Sequence, residues 1–139
     1  MADLLASSPP LVDVIAGDEP LWRLLHSSWV VSSDSGGADR VSSAAFKDRT
    51  SERRDVSVFR LRLMRQEFRN AHAERFPKAA EILCCTVTAL GHAVEPDTKD
   101  GQDVSHAVII PPDVKSGPWA RNAAALADAA TIVNVAAPP

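Results

Sequence analysis

The sequence has no tyrosine and only two cysteines, and these are neighbours, Cys84 and Cys85. An adjacent pair closes no useful loop, which excludes a disulfide framework. The two read as small hydrophobes in a strand, where successive side chains point to opposite faces and one enters the core. Such low cysteine usage fits a reducing, cytoplasmic setting. No uninterrupted apolar run approaches the ~18 residues needed to cross a bilayer, so no membrane partner is expected. The first twenty residues lack a basic start and a long apolar stretch, and do not resemble a secretory signal.

Other absences remove whole chemistries. There is no Gly-rich phosphate loop, no dinucleotide fingerprint and no serine flanked by glycines in a nucleophile elbow. No Cys/His spacing matches a structural zinc site. The acidic stretch 95–103 fails as a calcium loop. With Gly101 in the required sixth position, Pro96 falls at the first ligand position and Ala107 at the bidentate one. No metal and no cofactor are therefore expected, and no internal repeat is visible.

What is present is the composition of one globular domain: 139 residues, 45% hydrophobic and 24% charged. A chain of this length buries roughly two-thirds of its unfolded surface, enough for one core. The net charge of −3 hides a segregation. Residues 1–39 carry one basic and six acidic residues, 40–78 eleven and five, and 79–139 three and seven, for nets of −5, +6 and −4. A basic middle between acidic ends either binds phosphate, nucleic acid or an acidic partner, or is neutralised within the fold.

Residues 1–20, with Pro9, Pro10, Gly17 and Pro20, read as an irregular arm. Leu21–Val31 reads as a strand or strand pair and 32–39 as a loop, with Gly36-Gly37 as a turn signal. Arg40–Phe46 reads as a short strand entering a turn, followed by a charged, exposed stretch 47–55. Leu61, Met64 and Phe68 recur at three and four residues with arginines between them. That spacing predicts an amphipathic helix over about 60–76, with Ser57 near its N-cap and Pro77 as its stop. Residues 80–94 favour strand after a helical start, and Glu95–Asp103 an acidic loop. Ser105–Ile110 reads as a strand, Trp119–Ala130 as an Ala-rich helix, and Thr131–Val135 as its extension or a last strand. The expectation is one α+β domain over 21–135, a small, mostly antiparallel sheet with two main helices, and a tail at 136–139.

The candidate site residues are Arg23, Arg40, Ser42, Ser43 and His106. Arg40 offers fixed donors suited to an anion, and the serines add hydroxyls. The plainer reading of Ser42-Ser43 is a cap or turn beside a surface arginine. Strand alternation puts Ser42 on the face of Arg40 and leaves Ser43 structural, unless the segment is a turn. His106, in a strand between small residues, is either a buried histidine bonded to backbone or a pocket histidine. His72 reads as structural. His92 and His106 as a metal pair would need carboxylate partners.

Leu21-Trp22-Arg23, then Arg40-Val41-Ser42-Ser43-Ala44-Ala45-Phe46, then Ser57-Val58, then His106-Ala107 resembles a family of small bacterial proteins. Its pattern is Leu-aromatic-Arg, Arg-x-Ser-Ser-x-Ala-Phe, Leu/Met-Ser-Val and Ala-His-Ala. The resemblance spans about residues 21–110 and supplies positions but no reaction. Val41 stands where proline is expected, and Ser105 where alanine is expected. A weaker similarity is to ADP-ribosyltransferase-type folds, in which Arg23 and Ser42-Ser43 would match the first two site elements. Glu81 and Glu95, the later glutamates, lack the surroundings of the catalytic one.

Three functions follow as expectations. The first is a binding or accessory module that works with a larger protein partner and holds an anion at Arg40, Ser42 and His106. The second is an enzyme on a nucleotide-like substrate. The third is nucleic-acid binding by the basic middle, which has few aromatics interleaved for stacking.

Overall fold

The computed structural model describes residues 15–32, 39–46, 56–99, 101–110 and 118–136, of 118–122 the backbone alone. The charged stretch 47–55, the Gly36-Gly37 turn and most of the N-terminal arm lie outside these. The strands are β1 (Pro20–Leu25), β2 (Val30–Val31), β3 (Arg40–Val41), β4 (Val56–Arg60), β5 (Lys78–Leu83), β6 (Ala93–Pro96), β7 (His106–Ile110) and β8 (Thr131–Asn134). The helices are α1 (Gln66–Ala73), α2 (Cys84–Ala89) and α3 (Pro118–Ala129), with short 3-10 turns at Ser27–Trp29, Ser43–Phe46 and Leu61–Leu63.

Six strands form one sheet in the order β6-β7-β4-β1-β5-β8, and every neighbouring pair is antiparallel. β2 and β3 form a separate antiparallel pair. This is the expected α+β domain. β1 sits inside the sheet and is apolar on both faces: Leu21 and Leu25 point one way, Trp22 and Leu24 the other, and all four are buried. On the first face Leu21, Val56, Val58, Ile82 and Ile109 meet Val87 of α2, Leu126 of α3 and Phe46 of the 43–46 turn. On the second, Trp22, Leu24 and Ala79 meet Met64, with Phe59 and Phe68 of α1 packed against them. The sheet thus buries apolar area on both faces, and each buried face adds to stability.

Several expectations are corrected. The helix foreseen over 60–76 begins only at Gln66, because Val56–Arg60 is a strand with alternating burial. Ser57 therefore lies in a strand and caps nothing; Arg65 holds the N-cap position of α1. Residues 80–94 run in the reverse of the expected order, strand first and then α2. Tertiary capping overrides the local β preference of Cys-Cys-Thr-Val-Thr. The first amides of α2 donate to the 17–19 turn, Cys84 N to Glu19 O at 3.0 Å and Cys85 N to Gly17 O at 2.7 Å. Gly91, at φ 95°, sits in the turn after the helix. Cys84 is buried and Cys85 exposed, on helical rather than strand alternation. Glu95 and Pro96 belong to β6 rather than to a loop.

Candidate functional site

β1 and β4 pair at only two positions, Leu21↔Arg60 and Trp22↔Phe59. Beyond them the strands part, and Arg23 fills the opening. Its Nε donates to Ala45 O at 2.8 Å and its Nη1 to Ser57 O at 2.9 Å, while its guanidinium lies 5.0 Å over the Trp29 ring. The opening continues into a cleft of about 260 Å³ walled by Arg23, His26, Trp29, Ser57, His72 and Phe76 among others. The rings support one another: His26 packs edge-on against Trp29 at 4.6 Å and Phe76 at 5.3 Å. The 3-10 turn at Ser27–Trp29 brings Trp29 back over the mouth of the opening.

The alternation of β4 sends Val56, Val58 and Arg60 inward and leaves Ser57 and Phe59 on the other face. In the β4–β7 register Phe59 stands opposite His106 and Ser57 opposite Val108. His106 thus lies diagonal to Ser57 on one face, within side-chain reach. His106 is 4% exposed. Its Nδ1 lies 2.8 Å from the main-chain oxygen of Asp97 and 3.4 Å from Asp97 Oδ2. A carbonyl only accepts, so Nδ1 carries the hydrogen and donates. Nε2 of the neutral ring is then an acceptor, and the Ser57 hydroxyl, 3.2 Å away, donates to it. The Asp97 amide donates back to His106 O at 2.9 Å, which locks the two residues together. Ser57 itself is exposed.

Arg40, Ser42 and Ser43 line a different cavity, of about 280 Å³, against Ala124, Ala127 and Asp128 of α3. Ser42 N donates to Trp29 O at 2.8 Å, and Ser42 Oγ accepts from Ala44 N at 3.2 Å. The hydroxyl caps the 43–46 turn, the plainer of the two roles foreseen for it. Because the segment is a turn and not a strand, both serines reach the same cavity. Asp128 brings a carboxylate to it, so the lining carries both signs of charge.

The structure therefore does not bring the five foreseen residues together. Arg40, Ser42 and Ser43 meet at one place. Arg23 meets Ser57 at another, with His106 behind Ser57. The neighbours of Arg40, namely Val41, Ala45 and Phe46, belong to the core on the opposite face from the Phe59 cluster. Sequence reasoning missed Ser57, Asp97 and the ring-lined wall, although Ser57-Val58 stood in the pattern that it singled out. Glu81 accepts a hydrogen bond from Trp22 Nε1 at 2.8 Å, and neither Glu81 nor Glu95 lines the cleft beside Arg23.

The arginines of the basic middle are divided. Arg60 is buried against Glu19, and Arg69 donates to Val135 O and lies over Trp22. Arg62 and Arg65, with side chains 53% and 72% exposed, reach acids at 3.9 and 4.0 Å. Among the described residues no cluster of three or more His, Cys, Asp or Glu is placed to hold a metal, and no helix is long and apolar enough to cross a membrane. No family model, curated protein or solved structure matches the chain.

Proposed function

We propose that this protein is a small binding module whose ligand site is the cleft where β1 and β4 part. The convergence of three rings, an arginine and a hydroxyl on one concavity carries this reading. Trp29, His26 and Phe76 offer surface to a flat heteroaromatic group. Arg23 supplies positive charge at the wall, and Ser57 a hydrogen-bonding group of fixed orientation. A nucleotide combines those features, being a planar base with an anionic group attached. A bacterial, cytoplasmic setting suits a chain whose two thiols are free. Work alongside a larger protein partner extends the proposal, and the segregation of charge along the sequence is its support. The nucleic-acid reading loses weight because Arg60 and Arg69 are engaged within the fold.

A thermal-shift series with AMP, ADP and ATP tests the proposal, with adenosine and inorganic phosphate as controls. Saturation at a hundredfold excess over Kd adds about 2.7 kcal/mol of stability. A nucleotide should raise Tm more than either control, Trp29→Ala should remove the rise, and Arg40→Ala should leave it. No rise with any nucleotide at millimolar concentration would overturn the nucleotide reading.

A further inference from the structure

We propose that Ser57 is a nucleophile and that the cleft cleaves carboxylic esters through an acyl-enzyme. This goes beyond the nucleotide reading above and rests only on the cleft being the ligand site. A Ser-His-Asp arrangement is recognised by geometry and roles rather than by sequence order. Here the Ser57 hydroxyl donates to His106 Nε2 at 3.2 Å, in the range of an activated nucleophile before substrate binds. His106 Nδ1–H is fixed by the Asp97 main-chain oxygen at 2.8 Å, with the Asp97 carboxylate 3.4 Å from the same nitrogen. That pair holds the tautomer a general base requires and places an anion where the imidazolium would form. The base is buried, and the nucleophile is exposed on the wall of an open cleft.

The step balances with water as the second reactant. Ser57 Oγ bonds to the ester carbonyl carbon as its proton passes to His106 Nε2. The carbon–alkoxy bond then breaks, and the alcohol leaves with the proton that His106 returns. Water, losing a proton to His106, attacks the acyl group, and the carboxylic acid departs as Ser57 Oγ recovers its proton. Arg23 Nη1 donates to the Ser57 main-chain oxygen at 2.9 Å and so holds the backbone that carries the nucleophile, and its charge lies on the wall of the same cleft. Trp29 and Phe76 favour an ester with an aromatic portion.

A serine-directed fluorophosphonate tests this directly, because the nucleophile expels fluoride and keeps the phosphonyl group. Peptide mapping of the full chain should find the label on Ser57 in the folded protein and none after heat denaturation. Ser57→Ala, a change at an exposed position, should fold and remain unlabelled. His106→Asn should slow labelling about 100-fold or more, the scale of general-base assistance. p-Nitrophenyl acetate should be hydrolysed in parallel. A hydroxyl that merely satisfied the buried imidazole would be inert. Folded wild type without label on Ser57, or a labelling rate unchanged in folded His106→Asn, overturns the proposal. Should His106→Asn not fold, the contrast between folded and denatured wild type decides alone. A nucleotide thermal shift without labelling rejects the nucleophile and retains the nucleotide site; labelling without a shift retains the nucleophile in the cleft and rejects the nucleotide as its ligand.

Discussion

Glu19 and Arg60 form a two-pronged ion pair inside the protein, Nε to Oε1 at 2.6 Å and Nη2 to Oε2 at 3.1 Å, with side chains 0% and 1% exposed. The pair ties the turn before β1 to the end of β4, next to α2. Both prongs are matched, which is the geometry a buried arginine needs to offset the loss of water. Arg60 N also donates to Ser105 O at 2.7 Å, so this corner joins β4 to the start of β7.

Glu19→Ala should therefore destabilise by about 3–5 kcal/mol, because it leaves a buried guanidinium without its carboxylate. Replacing both partners, as Glu19→Met with Arg60→Met, should cost much less than the two single changes added together. Urea denaturation of the three variants measures this. A single-variant cost below about 1 kcal/mol would mean that the pair contributes little.

The same corner shows where sequence reading stops. β1, β7 and α3 were legible from local composition, Leu and Trp in the first, β-branched residues in the second and alanine in the third, and from the turn and breaker residues beside them. At β4 two periods overlap: Val56, Val58 and Arg60 alternate, while Leu61, Met64 and Phe68 repeat at helical spacing. An arginine at 60 looks like surface until Glu19, 41 positions away, is brought beside it. The backbone of α2 is capped by the carbonyls of Gly17 and Glu19, contacts that no local propensity contains. Of the site, Arg23 was visible as a residue without its neighbours. Ser57 meets His106 across 49 positions; the alternation of each strand sets which face a residue takes, but not which distant strand it pairs with.

Phe68 and Leu126 should respond differently to truncation. Both were apolar residues in helical patterns, but Leu126 is fully buried in the larger core and Phe68 is only half-buried over Phe59, at 5.0 Å. Leu126→Ala should cost about 2–5 kcal/mol. Phe68→Ala should fall below the range of a fully buried phenylalanine, at about 1–3 kcal/mol. Denaturation midpoints that ranked the two the other way would contradict the shallow packing of α1.

His92 should make the fold sensitive to mild acid. It is 4% exposed, and burial pushes its pKa below the ordinary 6.5. The unfolded chain then takes up the proton at higher pH than the folded one. The favourable contribution is whole above about 6.5 and is lost as pH falls from there towards the folded value. His92→Leu should flatten that part of the stability profile relative to wild type. Parallel profiles for the two proteins between pH 7 and 5 would show that His92 does not titrate with folding.

The two cysteines should separate kinetically although they are neighbours in sequence. The thiolate is the reactive form, so a thiol reagent needs both access and deprotonation. Cys85 is exposed, whereas Cys84 is buried. Burial pushes the Cys84 thiol up, and the negative charge of Glu19 and the neighbouring Cys85 add to this while Arg60 opposes it. A disulfide-exchange reagent at neutral pH should therefore titrate one thiol quickly, assigned to Cys85 by its loss in Cys85→Ser. The second should react only on the timescale of unfolding, or at once in denaturant. Glu19→Gln gives the finer test: it removes the charge that disfavours the Cys84 thiolate and leaves the Arg60 charge that favours it, so reaction of the second thiol should speed up. Two thiols reacting at the same fast rate in the folded wild type would place Cys84 outside the core and contradict the packing of α2 against the sheet.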